Sequence, residues 1–478
     1  MVTTLAWAPL SLFPLGLLGV GAGLWLIRYA TGPVRGAWCG LAYGLGFAGA
    51  LFRWTLELDV VAYLALFPVQ AAFWALTGAV AAGARRVAPA RWVVAVAAAW
   101  TLVEALRARV PFGGFAWGQL GTTTADLALL RPGAATVGTL GLTGLLVAVA
   151  AAGVVVISER GRRGWLPLVA AVAVLGVTIV LGSVRWTHPT GSVNVGIVQV
   201  DDPCPDDFAV DCLDLRAELL ARFARGTAAI DAPVDLLLWG EGALGGLSVE
   251  DVAVGLRSVT GELPAPLAAG TATSAGRGRF RQRAVLFSAA VEPIGGYAKR
   301  QPVPFGEYVP FRGVLGEIAD VGRLVPTDMV GGTSTAPLHV PVRSTSVPMG
   351  TVVSWEVTFS RLVRDVGRRA ELLAVLTTVA SYDRSPVSAQ LLRAAQMRAV
   401  EQQKTMILAA STGRSALIGP SGERLATSAL FRADELVGTV PLRSGLTPYA
   451  RLGELPSMAL AAGLLVWVFG RARLTRCG

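Results

Sequence analysis

VDLLLWGE, residues 234–241, decides how this chain is read. Three leucines and a tryptophan follow Asp235 with no polar residue between them, the pattern of a short strand buried on both faces rather than one that alternates toward water. The run stops at Gly240, and a lone carboxylate, Glu241, stands where the buried strand meets a loop. Working outward, VNVGIVQV (193–200), AVLFSAA (284–290), GTVVSW (350–355), LLAVLTTVA (372–380) and TMILAAS (405–411) have the same character. Helical patterns lie between several of them, as in CLDLRAELLARFARGTAAI (212–230) and AQLLRAAQMRAVEQQ (389–403). Strands alternating with helices predict an α/β or layered α+β domain over residues 184–455.

Outside that domain the composition changes. The 478 residues are 53% hydrophobic and only 15% charged, with a mean hydropathy of +0.56, which is not the make-up of a soluble chain. Residues 184–455 hold 27 of the 42 Lys and Arg and 27 of the 32 Asp and Glu, so that stretch is formally neutral and the whole +10 lies elsewhere. There the basic residues fall between long apolar runs. A nucleic-acid binder gathers its positive charge on a polar surface, so that class of partner is excluded and membrane topology is indicated.

Apolar runs near 10–27, 37–52, 60–84, 92–106, 133–157, 165–183 and 456–470 predict seven membrane spans, six in an N-terminal bundle (1–183) and one after the polar domain (456–478). The first run lacks the charged start and small-residue cleavage site of a secretory signal and is expected to stay as a helix. Arg28 with Arg35, Arg85 with Arg86 and Arg91, Arg160 with Arg162 and Arg163, and Arg471 with Arg473 and Arg476 occupy alternate connections. By the positive-inside rule these are cytoplasmic, which puts 184–455 on the extracytoplasmic side. A loop over about 107–132 contains VPFGGFAWGQLG (110–121) and is expected to be an interfacial arm presenting Phe115 and Trp117, because such rings favour the headgroup region.

Scarce residues narrow the chemistry. The two histidines, His188 and His339, are far apart and near prolines, and both read as loop residues; they leave nothing for a His-rich metal site or a Ser-His-Asp triad. No metal and no cofactor are expected. Only two lysines occur, Lys299 and Lys404, so the use of an amine there is notable. Cys204 and Cys212 sit close together in DDPCPDDFAVDC, where an oxidising face would allow either a disulfide or two thiols; Cys39 falls in a span and Cys477 in the tail. GRGRF (276–280) follows no clear strand and opens no helix, so it is a solvated basic loop and not a phosphate-binding turn.

Three polar positions sit at strand ends: Glu241; Lys299, just before RQPVPFGEYVPFR (300–312); and Ser354 with Glu356, closing GTVVSWE. Brought together, a carboxylate, an ammonium and a hydroxyl suit acyl transfer: the carboxylate takes the nucleophile's proton and the ammonium stabilises the oxyanion of the tetrahedral intermediate.

The order of an N-terminal bundle containing WTLVEALRARVPFGGFAWGQLG (100–121), then VNVGIVQV, LLLWGEGAL (236–244), YAKRQPVPFGEYVPFR (297–312), VVSWE (352–356), RAVEQQKTMILAASTGRSALIGPSGE (398–423) and a closing apolar helix resembles the bacterial apolipoprotein N-acyltransferases, membrane-bound members of the nitrilase, or carbon-nitrogen hydrolase, superfamily. The resemblance runs over nearly the whole chain, and PFGEYVPF is its most specific motif. It implies an αββα sandwich outside the inner membrane. It also implies transfer of a fatty acyl group from a phospholipid to the α-amine of a diacylglyceryl cysteine on a lipoprotein, by a Glu base, a Lys and a Cys nucleophile. Glu241 and Lys299 match the first two, and Glu307 matches a further essential Glu. At the third position the family's Cys-Tyr-Glu is Ser354, Trp355 and Glu356, and no cysteine occurs between 213 and 476. The family's Asn-Ser after the third strand is Gln282 and Arg283, its Asn before Thr-Gly is Ser411, and seven spans stand where the family has eight.

Two readings follow from the resemblance. In the first, Ser354 carries the acyl group as an oxyester, with phospholipid as donor, a diacylated lipoprotein as acceptor and membrane lipids around it. In the second, the chain is a catalytically impaired or silent paralogue that binds lipid or lipoprotein, or scaffolds a partner membrane enzyme.

Overall fold

Every long apolar stretch within residues 1–183 forms a helix. The computed structural model describes residues 1–159, 161–201, 216–245, 248–313, 325–382 and 384–474, and the chain divides into two units, Met1–Arg185 with Thr447–Gly478, and Trp186–Leu446. The first unit contains α1 (Phe13–Arg28), α2 (Pro33–Leu51), α3 (Val60–Gly83), α4 (Pro89–Arg107), α5 (Ala134–Ser158), α6 (Arg162–Ser183) and a C-terminal helix, Leu455–Leu474. Proline at the first turn starts α2 and α4, where its missing N–H costs nothing, and the Asp59 carboxylate caps α3 by accepting from the Val61 N–H at 2.6 Å. Many outward side chains are large and apolar, among them Leu18, Trp38, Leu64, Val172, Val180 and Val466, as lipid-facing surface requires.

Seven spans were expected. Among the described residues, four helical stretches are long and apolar enough to cross a membrane: Val60–Gly83, Pro89–Arg107, Arg131–Ser158 and Gly164–Ser183. Phe13–Arg28 and Leu455–Gly470 are apolar but shorter, and the glycine-rich α2 does not qualify by composition. What α2 has instead is close packing. A Cβ on Gly40 would lie 2.2 Å from the Trp74 carbonyl oxygen, and one on Gly78 2.1 Å from that of Gly36, so α2 and α3 meet backbone to backbone through small residues.

Within α4, Glu104 and Arg107 form a fully buried ion pair at 2.6 Å. Arg107 also donates to Gln70 of α3 at 3.1 Å and to the Phe115 carbonyl at 2.9 Å. Charge this deep in an apolar helix must be paired and hydrogen-bonded, and here it anchors the segment that follows. In that segment the Phe115 and Trp117 rings stack at 6.3 Å; Trp117 packs on Trp54 at 5.0 Å and Phe115 on Phe52 at 5.2 Å, with Trp117 buried.

The second unit holds two sheets. Its strands are β1 (Thr187–Gln199), β2 (Leu236–Trp239), β3 (Leu267–Gly276), β4 (Arg279–Phe287), β5 (Pro293–Ala298), β6 (Asp328–Met329), β7 (Leu338–Val342), β8 (Thr345–Val353), β9 (Leu372–Thr377), β10 (Met406–Ala410), β11 (Ala416–Ile418), β12 (Arg424–Thr427) and β13 (Asp434–Gly445). The first sheet runs β13-β1-β2-β3-β4-β5 with β6 on β4, and the second β12-β11-β10-β9-β8-β7. In each, a parallel core (β1-β2-β3; β8-β9-β10) is flanked by antiparallel pairs. β2, β9 and β10 are buried throughout, as their unbroken apolar runs predict. On the first sheet, Leu219 and Phe223 of α7 (Arg216–Ala228) and Val252 and Leu256 of α8 (Val249–Thr260) pack with Trp239, Leu267 and Phe287. α9 (Ser360–Gly367) and α10 (Val387–Gln402) accompany the second sheet. The architecture is the expected helical region plus an α+β domain built on two sheets.

Two readings are corrected. His188 and His339 are not in loops: His188 pairs with Ser444 across β1 and β13, and His339 with Pro348 across β7 and β8. Their prolines sit where a strand tolerates a missing N–H, at an irregularity in β1 and on the edge strand β7. The basic GRGRF loop is the tip of a hairpin: Arg277 and Gly278, with φ of 52° and 65°, make the two-residue turn from β3 to β4. Cys204, Cys212 and Cys477 lie outside the described residues, among which Cys39 is a free thiol.

Candidate active site

Glu241 leaves β2 in a turn, and the sheets hold its backbone: its N–H donates to the Thr377 carbonyl at 3.2 Å, and the Ser411 hydroxyl donates to its carbonyl at 2.7 Å. The fit requires glycine on both sides. A Cβ on Gly240 would come within 2.2 Å of the Ser411 nitrogen, and one on Gly270 within 2.5 Å of the Glu241 Cα. The Glu241 carboxyl is 5% exposed, and burial pushes it up to about 6 against the pull of Lys299, with Glu307 adding to the rise. The Ser354 hydroxyl and the Thr378 backbone N–H beside that carboxylate pull the other way and lower it.

Lys299 follows β5 and is fully buried. Its Nζ is hydrogen-bonded to Glu307 Oε1 and lies 3.7 Å from Glu241 Oε1. Burial alone would lower the ammonium, but Glu307 and Glu241 outweigh it and hold Lys299 above the ordinary lysine value, so it stays charged. Glu307 is fixed in turn by the Val303 N–H, which donates to its Oε2 at 2.8 Å.

Ser354 leaves β8 with a φ of +56°, in the left-handed region, and opens the single turn Ser354–Thr358. It is half-buried, whereas Glu241, Lys299 and Glu356 are buried, so the hydroxyl is the group a substrate can reach. Glu356 is a clasp: it accepts from the N–H groups of Val353 (2.9 Å), Arg300 (2.7 Å) and Gln301 (2.9 Å) and from the Tyr297 hydroxyl (3.0 Å), tying the Ser354 turn to the segment after Lys299. Burial holds Glu356 above the usual carboxylate range even against those donors. Trp355 points into the same joint and donates from Nε1 to the Gln301 carbonyl at 2.7 Å.

The structure therefore brings Glu241, Lys299, Ser354, Glu307, Trp355 and Glu356 together, while Phe115 and Trp117 belong to the helical unit. Sequence reading missed Tyr382, whose half-buried phenol feels the charges of Lys299, Glu307 and Glu241 and is pushed up to about 12, chiefly by burial. It also gave no role to Ser411. Lys404 lies away from the set: buried, it donates to the Gly367 carbonyl at 2.8 Å, and burial lowers it to about 8. Among the described residues no cluster of His, Cys, Asp and Glu is suited to hold a metal ion.

The profile of the apolipoprotein N-acyltransferase N-terminal domain matches residues 1–152, and that of carbon-nitrogen hydrolase matches residues 216–445. A protein from Chromobacterium violaceum named apolipoprotein N-acyltransferase is 31% identical, over 97% of this chain and 92% of that one. One of the same name from Pseudomonas putida is 29% identical, over 99% and 95%. Among solved structures, a variant amidase of the nitrilase superfamily from Nesterenkonia aligns with a TM-score of 0.39 at 22% identity, covering 56% of this chain and 98% of that one. A carbon-nitrogen hydrolase from Helicobacter pylori also gives 0.39, at 14% identity, covering 53% and 90%.

Proposed function

This chain belongs to the apolipoprotein N-acyltransferase family, and on that premise we propose that it moves a fatty acyl group from a phospholipid to the α-amine of the N-terminal diacylglyceryl cysteine of lipoproteins, through an acyl ester on Ser354. The observation that carries the reading is the half-buried Ser354 hydroxyl beside a buried carboxylate that itself lies 3.7 Å from a buried ammonium.

In the first half-reaction Glu241 takes the Ser354 proton as Oγ attacks the ester carbonyl, and Lys299 stabilises the oxyanion. The proton passes to the departing alkoxide, which leaves as a lysophospholipid. In the second, the acceptor amine attacks the acyl-serine, an N–C bond replaces the C–O bond, and the hydroxyl is restored. A serine is a weaker nucleophile than a thiol and needs this base more. Glu307 keeps Lys299 in place, and Glu356 and Trp355 hold the turn that presents Ser354.

The chain is an inner-membrane protein. We assign it seven spans, with a helical bundle over 1–183, the catalytic domain over 184–455 on the extracytoplasmic side, and a closing helix and basic tail over 456–478; the Arg clusters support that orientation.

The decisive measurement is the intact mass of protein incubated in vesicles with phospholipid, followed by addition of a diacylated lipopeptide. The expected outcome is a fatty acyl adduct that Ser354→Ala abolishes and Ser354→Cys keeps or increases, and that the lipopeptide discharges. A lipopeptide that binds while no variant forms an adduct would support the silent-paralogue reading instead.

A further inference from the structure

Gln282 lies one strand over from Lys299 and is 4% exposed. The Lys299 N–H donates to the Gln282 carbonyl at 2.9 Å, and the pairing of Ala284 with Tyr297 and Arg283 with Ala298 continues to place 282 opposite 299. Directly opposed residues of an antiparallel pair project from the same face, so the Gln282 side chain stands beside that of Lys299, on the face from which Tyr297 reaches Glu356. The Lys299 ammonium faces Glu307 and Glu241, which leaves its third N–H for the oxyanion. The Gln282 side-chain oxygen, Oε1, is buried and has no hydrogen-bond partner among the described residues. Buried acceptors are almost always satisfied, and one left open beside reacting groups fits a donor that arrives with a substrate.

We propose that Gln282 Oε1 docks the attacking amine in the second half-reaction, an inference that rests on the acyl-transfer reading above. The two substrates differ in what they offer such an atom. At its reacting end the acyl donor brings an ester, whose oxygens only accept hydrogen bonds. The acceptor brings a primary amine, which must point its lone pair at the acyl carbon while its two N–H groups find acceptors elsewhere. One N–H goes to Gln282 Oε1 and stays as the amide N–H of the product. As the N–C bond forms and the C–Oγ bond to Ser354 breaks, the other proton moves to Glu241 and from there to Ser354 Oγ. An oxygen at this position discriminates for an amine over a thioether or ester group, because only the amine satisfies it.

The experiment separates the two halves of the reaction in the full-length protein in phospholipid vesicles. Acyl-Ser354 formation without acceptor, and its discharge by a diacylated lipopeptide over a range of concentrations, are both followed by intact mass. Gln282→Leu is expected to form the adduct at the unaltered rate and to discharge it about tenfold more slowly, the kinetic equivalent of one lost hydrogen bond, and Gln282→Asn to recover part of the loss. Gln282→Met, nearly the same shape, gives the same answer should the leucine variant fold poorly. Equal slowing of both steps would make Gln282 a packing support for Lys299, and unchanged discharge would leave it no role; either result overturns the assignment while the acyl-transfer reading stands. Failure of the unaltered protein to form any adduct overturns both.

Discussion

Ser354 enters its turn in the left-handed backbone region, which costs a non-glycine residue roughly 1 kcal/mol and is kept where a side chain must be aimed. The aim here is at Glu241, which sets the pH dependence. Its carboxyl is pushed up to about 6, and only the ionised form can take the Ser354 proton, so acyl-adduct formation should fall by about tenfold per pH unit below that value and level off above it. Lys299, held above its ordinary value, imposes no opposing limb near neutrality. A rate profile flat from pH 5 to 8, measured by adduct formation, would contradict Glu241 as base. Replacing Glu307 by Gln should leave Lys299 less firmly held and slow both half-reactions together, which the same mass measurement reports. Glu307 was named only through the family resemblance, whereas Glu241, Lys299 and Glu356 were legible in sequence as charged groups at strand ends. Tyr382, Ser411 and the orphaned oxygen of Gln282 were not, since a hydroxyl or amide near a strand looks the same in sequence whether it faces a pocket or water.

Elements place these residues through glycine as much as through hydrogen bonds. Gly240 lets the end of β2 lie against Ser411 at the end of β10, so Gly240→Ala should force the two sheets apart locally and cost roughly 1–3 kcal/mol, seen as a lower melting temperature together with slower adduct formation. The strands found in sequence, β1, β2, β4, β8, β9 and β10, are rich in Val, Leu and Ile. β3, whose sequence is LAAGTATSAG, was missed because Ala, Gly and Ser are poor strand formers, yet it fits because Gly270 must let Glu241 approach. β5, β7, β11, β12 and β13 were overlooked too; β12 and β13 are partly exposed, and β11 is only three residues long. Boundaries moved for a physical reason as well: β8 ends at Val353 because Ser354 turns, which the run GTVVSW does not disclose.

At the scale of the molecule, charge is partitioned between a formally balanced domain and a basic remainder, and orientation should follow from that alone. A cysteine introduced at exposed Ser274, on β3, should react in intact cells with a maleimide that cannot cross the inner membrane, whereas one introduced at Arg85, in the α3–α4 connection, should react only after lysis; the reverse pattern would invert the topology. The crossing of α2 and α3 bears on how such a chain enters the bilayer at all. α2 is too rich in glycine to partition on its own hydrophobicity, but its exposed peptide groups are covered by a partner whose backbone lies almost against it. The pair is therefore expected to enter the bilayer together as a hairpin, and replacing Gly40 by a bulky residue, which would part α2 from α3, should lower the yield of membrane-integrated protein.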